Sequence, residues 1–372
     1  MKVTISKNDI IDVLSKLQGL AGRRSSLAIT ECVLISTMDN HVVLKATDLE
    51  TCFEGTFPAK VTENGTIAIG ARKFYEIVRE YPRSEILIEE TENRWITLGN
   101  EKVQYHLMGM DSKDFPTLPV LENVAFFSIS SPVLKKMIDK STIIGGIGED
   151  KKPHINGVLL ERNTESTPNK LRMVSTDGSR LSTYDFNNSD KVDIPAGPNV
   201  LIPKKGLSEL SKFLGNSDTV NIGIEGSYFV IKENNQSLAI RLLEGQYPPY
   251  KEIVFRDDGY SIKLEKEPFQ NMLKRMSILC SDNYRAAMFT FDKDQLVINA
   301  TNPDIGDSKE DISISYQGER IEVAFNPKFF IEALNCIDED SVIVDIVSEE
   351  KPCLIQGDKE KSYLNAIMPM RV

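Results

Sequence analysis

The stretch RMVSTDGSR, residues 172–180, decides the fold once it is set beside VVLKATDLE at 42–50 and LVINATNPD at 296–304. Each is a short alternating apolar run, the pattern of a half-buried strand, that ends in a Thr-Asp or Thr-Asn corner. Thr47, Thr176 and Thr301 mark equivalent positions, about 125–130 residues apart, which is the length of one modest domain. A corner recurring at that step predicts a repeated domain.

Three further landmarks surround each corner in the same order. The first is an amphipathic segment: SKNDIIDVLSKLQG at 6–19, SPVLKKMIDKS at 131–141 and EKEPFQNMLKRMSIL at 265–279. Ile10, Ile11, Leu14 and Leu17 in one, and Val133, Leu134, Met137 and Ile138 in the next, fall at helical spacing. Ser131 followed by Pro132 is a helix start, because proline at the first helical position gives up an N–H that has no partner there. The second landmark is a strand running into another helix: IAIGARKFYEIV, VLIPKKGLSELSKFL and VAFNPKFFIEALNCI. The last is a closing strand: VQYHLMGMDSKDFP, LAIRLLEGQYPPY and SYLNAIMPMRV.

Short alternating runs divided by Gly, Asn and Asp fill the intervals, which predicts antiparallel hairpins and not parallel crossover units. Each repeat therefore reads as two helices and about eight short strands, an α+β domain. Pro116 and Pro119 lie near one join, Pro248 and Pro249 near the other. The expected domains are 1–122, 123–253 and 254–372.

Composition agrees with a folded protein of several domains: 372 residues, 41% hydrophobic and 27% charged. No apolar run approaches the roughly 20 residues that cross a bilayer, and Asp9 and Asp12 interrupt the start where a secretory signal needs an apolar stretch. A soluble, cytoplasmic protein with no membrane partner is expected. The five cysteines, Cys32, Cys52, Cys280, Cys336 and Cys353, are odd in number and form no CxxC, so they suggest neither a disulfide framework nor a zinc site.

The formal charge is −11, which argues against bulk attraction to nucleic acid. Its distribution is uneven. The six predicted helices, 6–19, 72–80, 131–141, 204–213, 265–276 and 327–337, carry a net +6, leaving −17 on the rest of the chain. Lysine and arginine are good helix formers on any solvated face; the same pattern also fits one basic helical surface turned toward phosphate. Nothing reads base sequence, since helix-turn-helix, zinc-finger and aromatic RNA-binding signatures are absent.

Catalytic signatures are equally scarce. His41, His106 and His154 are the only histidines, and none has a second at metal-ligand spacing. There is no GxxxxGK[ST] and no GxSxG. The glycine-rich stretch at Gly145, Gly146 and Gly148 follows a helix where a dinucleotide site needs a strand, and reads as a loop. Asp177 and Arg180 are the most enzyme-like pair, the basis of a metal-dependent hydrolase reading, but Thr-Asp-Gly is also a common turn. A binding protein without metal or cofactor is expected.

The segments ARKFYEIV, DFPTLP, HINGVLLE, STDGSRLS, LIPKKGLSEL, LLEGQYPPYKEI, FNPKFF and IMPMRV, in that order over the whole length, resemble the bacterial beta sliding clamps, the processivity subunits of the replicative DNA polymerase. The resemblance implies three copies of one domain per subunit and two subunits closed head to tail around duplex DNA. It implies DNA polymerase III alpha subunit, clamp loader and other clamp-binding-motif proteins as partners.

By motif, the resemblance places a partner-peptide pocket at Ile155, Thr176, Gly178, Arg180 and Leu181, with Pro248, Ile253, Asn326 and Phe329, closed by Met368, Pro369, Met370, Arg371 and Val372. Family partners insert a segment bearing Gln and a Leu/Phe pair. Arg24 is implied as a DNA contact; Arg72, Lys204, Lys205 and Arg285 join it from the charge pattern, and His154 from its place where the family often has an aromatic. The ring seam is expected where Tyr105 and Leu107 meet Ile278 and Leu279. Glu252 stands where arginine is common, and Glu350 and Pro352 where small or apolar residues are usual, so the peptide preference is its own. A specialised clamp paralogue is a second reading the motifs do not separate from the first.

Overall fold

The computed structural model describes residues 1–21, 27–145, 152–163, 170–187, 199–215, 217–254, 259–280 and 285–371. The first repeat comprises β1 (Lys2–Ser6), α1 (Lys7–Ala21), β2 (Cys32–Met38), β3 (His41–Thr47), β4 (Thr51–Glu63), β5 (Thr66–Gly70), α2 (Ala71–Glu80), β6 (Glu85–Glu90), β7 (Trp95–Gly99) and β8 (Gln104–Met108). The second comprises β9 (Phe127–Ser130), α3 (Ser131–Thr142), a single turn α4 (Pro153–Asn156), β10 (Gly157–Asn163), β11 (Lys170–Thr176), β12 (Arg180–Asn187), β13 (Val200–Pro203), α5 (Lys204–Phe213), β14 (Thr219–Glu225), β15 (Tyr228–Glu233) and β16 (Gln236–Arg241). The third opens on a short turn α6 (Lys251–Val254) and comprises β17 (Tyr260–Glu265), α7 (Lys266–Met276), β18 (Ala287–Asp292), β19 (Gln295–Asn302), β20 (Gly306–Ser313), β21 (Ile321–Phe325), α8 (Pro327–Asn335), β22 (Ser341–Ile346), β23 (Cys353–Gly357) and β24 (Tyr363–Ile367). Among the described residues each repeat has eight strands, with a long helix after the first and after the fifth.

Local chemistry explains the helices. Asn326 caps α8 by accepting from the Lys328 N–H at 3.0 Å, and Pro327 follows at a position where its missing N–H costs nothing. One stripe of each helix is buried: Ile10, Leu14 and Leu17 on α1, Phe74, Ile77 and Val78 on α2, and Phe269, Met272 and Leu273 on α7. In the third repeat Phe269, Phe289, Phe325 and Phe330 interlock with ring centroids 5.2–6.2 Å apart. Among the described residues no helix is long and apolar enough to cross a membrane.

Every named strand pairing is antiparallel. The described residues fall into two compact units, 1–135 with 205–242, and 136–187 with 199–204 and 243–371. Three repeats do not give three units, because sheets run across the joins. The fourth strand of the first repeat, β4, pairs with the eighth of the second, β16. The fourth strand of the second repeat, β12, pairs with the eighth of the third, β24. By that rule two strands are left over: β8, the outer strand of the 12-stranded sheet in the first unit, and β20, the outer strand of a 4-stranded sheet in the second.

The corners repeat at atomic detail. Thr47 Oγ1 donates to the Thr51 carbonyl and accepts from the Leu49 N–H, both at 2.9 Å. Thr176 Oγ1 donates to the Arg180 carbonyl at 2.7 Å and accepts from the Gly178 N–H at 3.0 Å. Asp48 and Asp177 each accept two backbone N–H groups from the following turn. The third corner departs from expectation by one residue. Thr301 is exposed, and the buried Asn302 accepts from the Asp304 N–H at 3.1 Å instead, because β19 continues to Asn302 and its pleat turns that residue inward.

Candidate functional site

The second unit gathers most of the expected groove. The β12–β24 ladder sets Arg180 opposite Ile367 and Leu181 opposite Ala366. Beyond β24 the chain continues across two sheets: the Met368 N–H donates to the Ser179 carbonyl at 2.9 Å, and the Met370 N–H donates to the Ala324 carbonyl at 2.8 Å. Since Ala324 lies one residue before the end of β21 and α8 follows, this tail brings Met368, Pro369 and Met370, all half-buried, to the Thr176–Arg180 corner and to Asn326 and Phe329.

Arg180 is the hub. Its Nε donates to Asp177 Oδ2 at 3.0 Å, its Nη1 lies 2.6 Å from Glu332 Oε2, and its guanidinium carbon sits 4.3 Å from the Phe329 ring centroid. Asp177 thus bonds both the backbone of the corner and the Arg180 side chain. Gly178 has φ 89° and open space where a Cβ would stand, so the turn presents backbone to the groove. Beneath it Leu159, Val174, Leu181, Tyr250, Leu354 and Ala366 form a buried apolar cluster, with Ile253 packed against it.

The cluster rests on polar groups that sequence reasoning missed. Tyr250 donates its hydroxyl to the buried Glu161, and burial pushes that phenol well above its ordinary range. Arg172 clasps Asp185 through two bonds of 2.5 and 2.7 Å. Pro248 is exposed on the loop before Tyr250, and lines a cleft of about 570 Å³ with Leu159, Glu161, Leu201, Tyr247, Tyr250 and Glu252. Ile155 is buried on the turn α4 just before β10; Arg371 is exposed, and Val372 lies outside the described residues. Glu252 and Glu350 are exposed and Pro352 half-buried.

The expected DNA contacts divide. Arg72 is exposed on α2 with Glu76 at 3.2 Å, and Arg285 is exposed just before β18. Lys205 is exposed but its Nζ lies 2.6 Å from Asp48 and 3.5 Å from Glu50. His154 is half-buried, its ring edge-on to Tyr247 at 6.3 Å. Arg24 lies outside the described residues. Lys204 is a correction: it is buried and donates to the Ile155 carbonyl at 2.6 Å, so it faces the interior and not a phosphate. Burial lowers its pKa to about 8. A "KK" pair at a helix start gave no signal that one lysine points inward.

The expected seam residues sit at the two leftover edges. Tyr105 and Leu107 lie on β8, opposite Leu98 and Ile96 of β7, whose side chains are core. The same face of the sheet thus runs out to an uncovered rim. Ile278, 73% exposed, and Leu279 form a 3-10 turn after α7 that the Asn302 side chain holds by donating to the Leu279 carbonyl at 3.0 Å.

Three sequence models of one protein family match this chain in succession: the DNA polymerase III beta subunit N-terminal domain over residues 1–119, its central domain over 128–249 and its C-terminal domain over 252–371. A beta sliding clamp of Chlamydia muridarum is 27% identical and spans all of this chain and 99% of its own. The DNA polymerase sliding clamp structure from Bacillus subtilis superposes with a TM-score of 0.90 at 25% identity, over 100% of this chain and 99% of the other. The DNA polymerase III subunit beta structure from Pseudomonas aeruginosa gives 0.92 at 24%, with both chains covered in full, and supports the fold.

Three clamp domains with antiparallel sheets, matched along the whole chain, define the class as DNA sliding clamps, processivity factors of DNA replication and not enzymes. The chain belongs to the DNA polymerase III beta subunit family.

Proposed function

We propose that two copies of this chain close head to tail into a ring that encircles duplex DNA without reading its sequence and tethers the replicative polymerase to it. The observation that carries this reading is the pair of leftover strands. Within the chain, the fourth strand of one repeat pairs with the eighth of the next, which leaves β8 and β20 for each other in a second copy. A seam of one edge against a different one is heterologous, and closing it twice completes a ring. Tyr105 and Leu107 then pack against Ile278 and Leu279. Retention by topology needs little attraction, so a net charge of −11 is compatible with it.

On this reading the groove at Arg180, Phe329 and Met368–Met370 takes the apolar anchor of a partner segment carrying Gln and a Leu/Phe pair. DNA polymerase III alpha subunit, the clamp loader and other clamp-binding-motif proteins are the proposed partners, and the compartment is the cytoplasm. Ile155, Pro248, Ile253, Asn326, Arg371 and Val372 are proposed as its further walls, and Arg24, Arg72, His154, Lys205 and Arg285 as contacts to the duplex. We place the domain limits at 122, which falls in the gap between the first two family matches, and at 253, although the C-terminal match already begins at 252. The hydrolase reading is not favoured, because Asp177 and Arg180 serve the corner and the groove.

Sedimentation tests the ring. Wild-type chain is expected at twice its 41.8 kDa mass, and Ile278→Glu or Leu107→Lys at one. A wild-type monomer at micromolar concentration would contradict the seam.

A further inference from the structure

Lys204 has 8% of its surface exposed, an unusual place for an ammonium group, and its position in the sheet says what holds it there. It directly follows β13. That strand pairs with β10, Gly157 lying opposite Pro203, and β10 pairs with β11. The end of β13, the start of β10 and the end of β11 therefore lie side by side at one edge of the sheet. The β10–β11 register runs from Leu159 opposite Val174 to Asn163 opposite Lys170, so Ile155 and Thr176 both lie beyond it. Lys204 Nζ donates to the Ile155 carbonyl at 2.6 Å and toward the Thr176 carbonyl at 3.4 Å, spanning the place where the ladder has stopped.

We propose that Lys204 is a positioning residue of the partner-peptide groove, setting the Ile155 segment against the Thr176–Arg180 corner. The inference rests on the groove reading above, and gives this lysine a task other than phosphate contact. Asp177 and Arg180, charged groups among the described residues, act on the ammonium, one favouring its proton and one opposing it. The corner that Lys204 holds also fixes Arg180, through the bond from Thr176 Oγ1 to the Arg180 carbonyl at 2.7 Å. An error in the Ile155–Thr176 spacing is thereby passed to the residue that lies over Phe329. Removing the amine leaves a buried carbonyl without its donor, and a buried polar group left unmade is costly.

The test uses the full-length dimer and a fluorescein-labelled synthetic peptide carrying a Gln and a Leu-Phe pair, read by anisotropy. Lys204→Met is expected to weaken peptide binding about tenfold, Lys212→Met, at an exposed lysine of the same helix, to leave it unchanged, and Lys204→Arg to recover it to within about threefold of wild type. The melting temperature is measured beside each Kd, and a loss of affinity at an unchanged melting temperature that arginine rescues supports positioning. Lys204→Met binding within about twofold of wild type overturns the proposal. Should Lys204→Met not fold, Lys204→Gln, which keeps a donor on a shorter stem, is read in its place; it is expected to bind more weakly than Lys204→Arg, and equal binding overturns the proposal. Wild-type chain that ignores the peptide, or Arg180→Ala that binds it as wild type does, overturns the groove reading and this inference with it.

Discussion

The Arg180 guanidinium carbon lies 4.3 Å from the centroid of the Phe329 ring, with Asp177 and Glu332 taking two of its donors at 3.0 and 2.6 Å. One element of the second repeat and one of the third thus share a single cation–π pair at the groove. The ring and the flat guanidinium together make a surface that is apolar on its face and polar at its edge, which suits an aromatic or leucine anchor beside an amide side chain.

Truncating either partner should therefore cost affinity while the fold survives. Phe329→Ala and Arg180→Ala are each expected to weaken the labelled peptide by about 1–2 kcal/mol, or roughly 5- to 30-fold, and the double variant by less than the sum, since the two act as a pair. Calorimetric titration of the four chains checks this.

Removing Met370–Val372 should abolish peptide binding and leave the dimer intact. The Met370 N–H bond to Ala324 is lost, so the tail that crosses the two sheets is released, whereas the seam strands are untouched. Affinity within about twofold of wild type would show that the tail does not close the groove.

The repeated corner predicts unequal effects of exchanging glycine at equivalent sites. Leu49 has φ 77° and Gly178 has φ 89°, the left-handed region that costs an L side chain about 1 kcal/mol. Leu49→Gly is expected to come close to neutral, because relief of that strain offsets the entropy glycine adds to the unfolded chain. Gly178→Ala is expected to destabilise by less than about 1 kcal/mol, the strain reduced by the entropy alanine removes from the unfolded chain, with no steric part because nothing lies within 4 Å of the added Cβ. Urea unfolding of both variants checks the difference.

Lys204 predicts a pH dependence. Burial lowers its pKa from the ordinary 10.5 to about 8. Between those values the unfolded chain holds more of this proton than the folded chain, so this group favours folding increasingly as pH rises from about 8 to 10.5, by about 3 kcal/mol in all. The stability of wild type relative to Lys204→Met should rise across that window and be flat below about pH 7, by denaturant unfolding at each pH.

Much of this was legible in the sequence. The helices were, because Ser131-Pro132 is a start signal and the apolar stripes have helical period. So were the three repeats and their hairpins, because an alternating strand ending in a Thr-Asp or Thr-Asn corner recurs at a nearly constant step. What was not legible depends on strands meeting across long separations. The third corner falls on Asn302 and not Thr301 because strand register decides which residue turns inward. Lys204 turned out buried because three strand ends converge on it, which its neighbours in sequence do not reveal. Arg180 and Phe329 are paired by the β12–β24 ladder and the tail bond to Ala324, and neither is local.

The most direct test of the ring is retention on DNA. The protein is loaded with its cognate loader and ATP onto a nicked circular plasmid, the complex is isolated, and the DNA is then linearised. Protein that stays on the circle in high salt and leaves the linear form is the predicted result, since a closed ring is released only at an end. Equal loss from circle and line, with a working loader and a verified dimer, would contradict encirclement and leave only ordinary salt-sensitive binding.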